Sequence, residues 1–141
     1  LYFGLVSLPP IYSRISSHEQ ETQMRVLVCG GRDYADRAKV FDELERLNAF
    51  NMTLCVISGG ATGADALAEE WARSNIKRGN GVSFHGFKAD WSKHGKAAGP
   101  IRNQAMLDKG RPDLVLAFPG GRGTADMIQR AEAAGVPVQR L

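Results

Sequence analysis

From Met24 onward, short apolar, β-branched runs alternate with longer stretches of helical period, and most of the junctions carry glycine. "RVLVCG" (25 to 30) ends in glycine and is followed by "ADRAKVFDELERLNAF" (35 to 50), whose apolar residues at 40, 41, 44 and 47 mark one face of a helix. "TLCVISGG" repeats the strand pattern, and "GADALAEEWARSNIKRG" gathers Ala64, Leu67, Ala68 and Trp71 on one helical face. "GVSFHGF", "GPIRNQAMLDKG", "PDLVLAFPGG", "GTADMIQRAEAAG" and "VPVQRL" continue the alternation to the end. Short apolar runs bounded by turn residues are strands buried on both faces, and strands separated by helices are βαβ units. The order therefore predicts a single three-layer, Rossmann-like α/β domain. It has a parallel sheet of about five strands and helices on both faces. "KADWSKHGKAAG" (88 to 99) has no period and is too polar for core, so it reads as a loop.

The 141 residues suffice for one sizeable core, and 43% hydrophobic with 23% charged residues is an ordinary globular balance. A net charge of +3 is compatible with anionic ligands but too small to argue for nucleic acid. No apolar run reaches the roughly 18 residues of a membrane span, which points to a soluble, cytoplasmic protein with no membrane partner. Cys29 and Cys55 sit inside apolar strand runs and read as small core residues in a reducing compartment. His18, His85 and His94 have no partners at metal-ligand spacing, so no metal site is expected. Residues 1–23 hold a Pro-Pro pair and no lasting period, and they end just before Met24. They read as a leader, tag remnant or flexible arm, which leaves 24–141 as the folded domain.

Ligands of a doubly wound sheet bind beyond the carboxyl ends of its strands. Three strand-to-helix turns on that edge are glycine-rich: "CGGRDY" (29 to 34), "SGGATGAD" (58 to 65) and "PGGRGTAD" (119 to 126). Glycine lets a ligand approach the main chain, and the amides at a helix start favour an anion. The turns mark Gly30, Gly31, Arg32 and Asp33, then Ser58, Gly59, Gly60, Gly63 and Asp65. The last of them adds Pro119, Gly120, Gly121, Arg122, Gly123, Thr124 and Asp126. Each acid also has a structural reading: Asp65, three residues after Thr62, fits a capping box, and Asp36 after Asp33 fits the same role. The first turn is G-G-R-D rather than G-x-G-x-x-G, no acid ends the second strand, and no G-K-[ST] follows. A dinucleotide fingerprint and a P-loop are both disfavoured, and no cofactor is expected.

"MRVLVCGGRDY", "VISGGATGADALAEEWA", "RNQAM" and "PGGRGTADM" together resemble the YspA-like branch of the SLOG superfamily, over nearly everything from Met24 to Val138. That group is related to the Lonely Guy phosphoribohydrolases and to the Rossmann-like domain of the DNA-processing protein DprA. The resemblance implies a nucleotide or nucleotide-derived ligand, phosphoribosyl or ADP-ribosyl, held over the glycine turns. The P-G-G-x-G-T-x-x-E of the Lonely Guy enzymes is matched at Pro119, Gly120, Gly121, Gly123 and Thr124, but its final Glu falls on Met127. Their R-K-x-x-M is similar to "RNQAM", which places the catalytic arginine on Arg102 and matches Met106, with Asn103 in place of Lys. Asp126 is the nearest carboxylate to the missing Glu, one residue and about 100° of helix away.

Breaking an N-glycosidic bond develops positive charge on the sugar, which a carboxylate stabilises while an arginine holds the phosphate. Arg102 and Asp126 are thus the candidates for catalysis. Asp90, Trp91 and His94 are candidates to contact ribose or base, Trp91 by stacking. The substitution at Met127 favours a domain that senses, sequesters or carries its ligand. A phosphoribohydrolase is the alternative reading, and nucleic-acid binding of DprA type ranks below both. Related folds assemble as dimers, so a homodimer or higher homo-oligomer is expected.

Overall fold

The computed structural model describes residues 23–51 and 53–141. Residues 1–22 of the expected leader lie outside the described residues. In chain order the elements are β1 (Met24–Cys29), α1 (Arg37–Phe50), β2 (Leu54–Ser58), α2 (Ala64–Arg78) and β3 (Val82–Gly86). There follow a one-turn helix α3 (Trp91–His94), a 3-10 turn (Gly95–Ala97) and α4 (Ala98–Asp108). Then come β4 (Leu114–Ala117), α5 (Arg122–Ala133) and β5 (Val138–Arg140). The expected loop at 88 to 99 is therefore largely helical. Its first turn buries nothing, so no apolar period marks it, and it forms because Asp90 caps it by accepting from the Lys93 amide at 3.0 Å.

The five strands are all parallel, in the order β3-β2-β1-β4-β5. The alternation of side chains along each strand sorts the core into two layers. Met24, Val26 and Val28 of β1 pack with Leu54, Val56, Leu114 and Leu116 against Val40, Leu44 and Leu47 of α1 and Ala68, Trp71 and Ala72 of α2. The intervening Leu27, Cys29, Cys55, Ile57, Val115 and Ala117 pack against Met106 and Leu107 of α4 and Met127 and Ala131 of α5. Trp71 is buried, and its indole nitrogen donates to Glu45 at 2.9 Å, which ties α2 to α1. Truncating such a residue to Ala costs about 3–5 kcal/mol.

The strand order also fixes where a ligand can sit. From β1 the chain steps one way through β2 to β3, then crosses to the other side of β1 for β4 and β5. Two helices cover one face and two the other, as the sequence predicts. The crevice between the carboxyl ends of β1 and β4 is the topological switch point of the sheet. No described helix is long and apolar enough to cross a membrane.

Candidate functional site

The three glycine turns meet at the switch point and are hydrogen-bonded to one another. The Gly31 amide donates to the Pro119 carbonyl at 2.8 Å, and the Gly31 carbonyl accepts from Tyr34 at 3.1 Å and from Ala64 at 3.2 Å. The Thr62 hydroxyl donates to the Arg32 carbonyl at 2.9 Å. Such contact requires residues without side chains. A Cβ on Gly30 would lie 2.6 Å from Ala64 Cβ, and one on Gly120 would lie 2.2 Å from Thr124 Oγ1. Gly63 has φ +73 and the Gly31 carbonyl 2.1 Å from its absent Cβ, so no other residue fits there. Gly121 and Gly123 differ: a Cβ at either meets nothing within 4 Å, and neither has positive φ. Packing demands glycine at neither of these two positions. Both line a cavity.

That cavity has a volume of about 640 Å³ and is walled by all three turns, α3, the 3-10 turn and α4. Of the residues marked in the sequence, it collects Gly30, Gly31, Arg32, Asp33, Asp65, Trp91, Arg102 and Asn103, and from the third turn Gly121, Arg122, Gly123, Thr124 and Asp126. α5 begins here with Gly121 at its N-cap and no side chain capping it. The amides of Arg122, Gly123 and Thr124 belong to the first turn, which has no intrahelical acceptors. Four cations (Arg32, Lys96, Arg102 and Arg122) and three acids (Asp33, Asp65 and Asp126) line the space. Two of these acids are already engaged inside the protein. Among the described residues, Arg32, Lys96 and Arg122 form no ion pair.

Asp65 is 6% exposed and accepts from the amides of Gly59 at 3.1 Å and Ala61 at 3.2 Å. Its carboxylate braces the second turn rather than closing a capping box with Thr62; the N-cap of α2 is Gly63, with no side-chain bond. Burial pushes the Asp65 carboxyl up, against the pull of the Ala61 amide, Arg102, the Gly59 amide and Arg32. Asp36 does cap α1, accepting from the Lys39 amide at 3.1 Å. Arg102 donates to the Gly59 carbonyl and, at 3.0 Å, to Asn103 Oδ1. Burial lowers the Arg102 pKa, partly offset by Asp65, with Arg32 lowering it further. A half-buried arginine facing a second arginine is an arrangement that an anion would relieve.

Asn103 is 3% exposed, and its Nδ2 donates to Asp126 Oδ2 at 2.9 Å and to the Gly123 carbonyl at 3.2 Å. Asp126 Oδ2 also pairs with Arg130 at 2.9 Å. Burial works to raise the Asp126 carboxyl, but the hydrogen bonds from Arg130 and Asn103 and the Arg130 charge outweigh it and hold it below the usual range. Met127, where the Lonely Guy pattern has its Glu, is 0% exposed and packs in the layer with Cys29 and Met106.

The remaining marked residues lie apart from this cavity. Gly59 and Gly60 line a second, adjoining one of about 390 Å³. Ser58 is buried, Gly63, Pro119 and Gly120 serve the contacts between turns, and neither Asp90 nor His94 lines either cavity. The Asp90 carboxylate is bonded by the Ser92 hydroxyl at 2.7 Å, which with the Lys93 amide holds its pKa low. Trp91 is 49% exposed, with the Arg32 guanidinium 5.4 Å from its ring centroid.

The sequence reading did not mark Cys29, Ala61, Lys96, Gly99, Pro100 and Met106, which complete the lining. Cys29 directly precedes Gly30, and Lys96 lies in the same polar segment as Trp91; position was the signal in both cases. Cys29 and Cys55 are free and buried, and burial, reinforced by Asp65, pushes the Cys29 thiol up to about 12.

The family model of the YspA, cpYpsA-related SLOG family matches residues 24–94, a span running from β1 through α3. The Gene 61 protein of Mycobacterium phage D29 is 43% identical over 117 residues, which cover 81% of this chain and 93% of that protein.

Proposed function

Because the chain belongs to the YspA, cpYpsA-related SLOG family, we propose that it binds a nucleotide or a phosphoribosyl or ADP-ribosyl compound in the cavity at the switch point. It does so as a sensing, sequestering or carrier domain. The observation that carries this reading is the start of α5. There, two glycines with no packing need stand beside uncapped amides, with Arg122 between them. A helix start kept bare in this way receives an anion. Arg32, Arg102 and Lys96 add charge for a phosphate, and the half-exposed Trp91 offers a face for a base.

The hydrolytic alternative is the weaker one. Asp126 is ionised but neutralised by Arg130, and Met127 is sealed in the core. No carboxylate is left free at the position the Lonely Guy pattern uses. Nucleic-acid binding of DprA type gains no support from the net charge of +3. The proposal treats residues 24–141 as the binding unit and includes a cytoplasmic location, which suits two free thiols, and a homodimer.

The test is titration with nucleoside monophosphates and ADP-ribose, read by tryptophan fluorescence. Trp71 is buried, so a change reports Trp91. A saturable change accompanied by a rise in Tm is the expected result. No response to any of these compounds at millimolar concentration overturns the reading. Release of free base, lost in Asp126→Asn, would replace it with the hydrolytic one.

A further inference from the structure

The second cavity, of about 390 Å³, opens beside the first and shares Arg32, Ala61, Trp91 and Arg102 with it. Its composition is different. Three cations line it, Arg32, Lys88 and Arg102, and no carboxylate does. The main cavity, by contrast, mixes four cations with three acids. The two glycines of the second turn are bracketed by this charge. The Arg102 guanidinium lies against Gly59, and the stem of Lys88 comes within 3.4 Å of where a Cβ of Gly60 would be. Asp65 lines only the main cavity, where the Gly59 and Ala61 amides hold it, and it offsets part of the Arg102 and Arg32 charge. Among the described residues, Lys88 forms no ion pair.

Three cations offset by one partly engaged carboxylate repel one another, and an anion removes that cost. The start of α5 does not line this second space, so one phosphate group does not serve both places. We infer that the second compartment is a separate anion subsite. The ligand then carries a second phosphate that is not contiguous with the one received by α5, and Arg32 and Arg102 lie between the two groups. This rests on the proposed nucleotide site and specifies its ligand class: a nucleotide phosphorylated at two separated positions.

The experiment compares AMP, ADP and adenosine 3′,5′-bisphosphate, and their guanosine counterparts, by calorimetry on the wild-type chain and on Lys88→Gln. Lys88 is exposed and outside the main cavity, so the variant keeps the fold. The bisphosphate is expected to bind about tenfold tighter than the mono- and diphosphates, the worth of one charge-assisted hydrogen bond. Lys88→Gln is expected to abolish that gain and leave monophosphate affinity unchanged. Equal affinities for all three, a diphosphate as tight as the bisphosphate, or an equal loss for every ligand in Lys88→Gln overturns the second subsite while leaving the first intact. Binding of none of them overturns the second subsite, and absence of ADP-ribose binding as well overturns both.

Discussion

Replacing Gly123 with alanine separates a glycine kept for folding from one kept for a ligand. Gly123 lies in the first turn of α5, and its added methyl meets nothing within 4 Å. In a helix, alanine is favoured over glycine by roughly 0.5–1 kcal/mol, because it loses less backbone entropy on folding. The free variant is therefore expected to be more stable, by about 2–4 °C in Tm for a chain of this size. Ligand binding changes in the opposite direction. The methyl occupies space beside the uncapped amides, so an anion there loses at least one charge-assisted hydrogen bond, worth about 1.5–3 kcal/mol. Affinity then falls about ten- to a hundredfold. Thermal unfolding of the free protein and fluorescence titration with the tightest nucleotide measure the two halves. Unchanged affinity would refute the placement of the anion at α5. A lowered Tm would refute the claim that folding does not need this glycine.

Other expectations follow from the same geometry. The depressed pKa of Asp126 adds stability that is fully present above its unfolded value of about 3.9 and lost as pH falls through the folded one. Asp126→Asn should therefore lower Tm at pH 7, with the gap closing as pH falls through the depressed folded value; a constant gap would contradict the ion pair with Arg130. Met127→Glu restores the Lonely Guy carboxylate in sequence but places it at a fully buried position, and it should cost about 3 kcal/mol or more in urea unfolding rather than create a hydrolase. Cys29, with its thiol pushed up to about 12, should resist thiol reagents at pH 8 until the protein is denatured, as a timed DTNB reaction would show. Rapid native labelling of Cys29 would disprove that burial.

The two-layer core was legible because strand alternation and helical period are local signals, as in Val26 and Val28 against Leu27 and Cys29. The glycine turns were legible because topology alone puts them on one edge. Their division of labour was not. Gly63 and Gly120 are needed by Gly31 and Thr124, partners distant in the chain or brought close only by the turn, whereas Gly123 has no such partner. The capping box that Thr62 and Asp65 suggest fails for the same reason: the amides Asp65 holds precede its helix. The Asn103, Asp126 and Arg130 cluster joins two helices whose relative placement no local pattern records. Trp91 was marked, but the short helix carrying it buries nothing and so leaves no period to read.

The bond from the Gly31 amide to the Pro119 carbonyl, and those that the Gly31 carbonyl receives from Tyr34 and Ala64, make one residue common property of all three turns. A substitution at Gly30, Gly63 or Gly120 displaces its neighbours, so this part of the rim cannot be retuned piecemeal. New ligand preferences have to be written elsewhere. The region free to carry them is the connection from β3 to α4, where Lys88, Trp91 and Lys96 face the two cavities from a segment that buries little of its own. On the proposed function, the glycines would hold the anion and the 88 to 99 segment would choose the molecule that brings it.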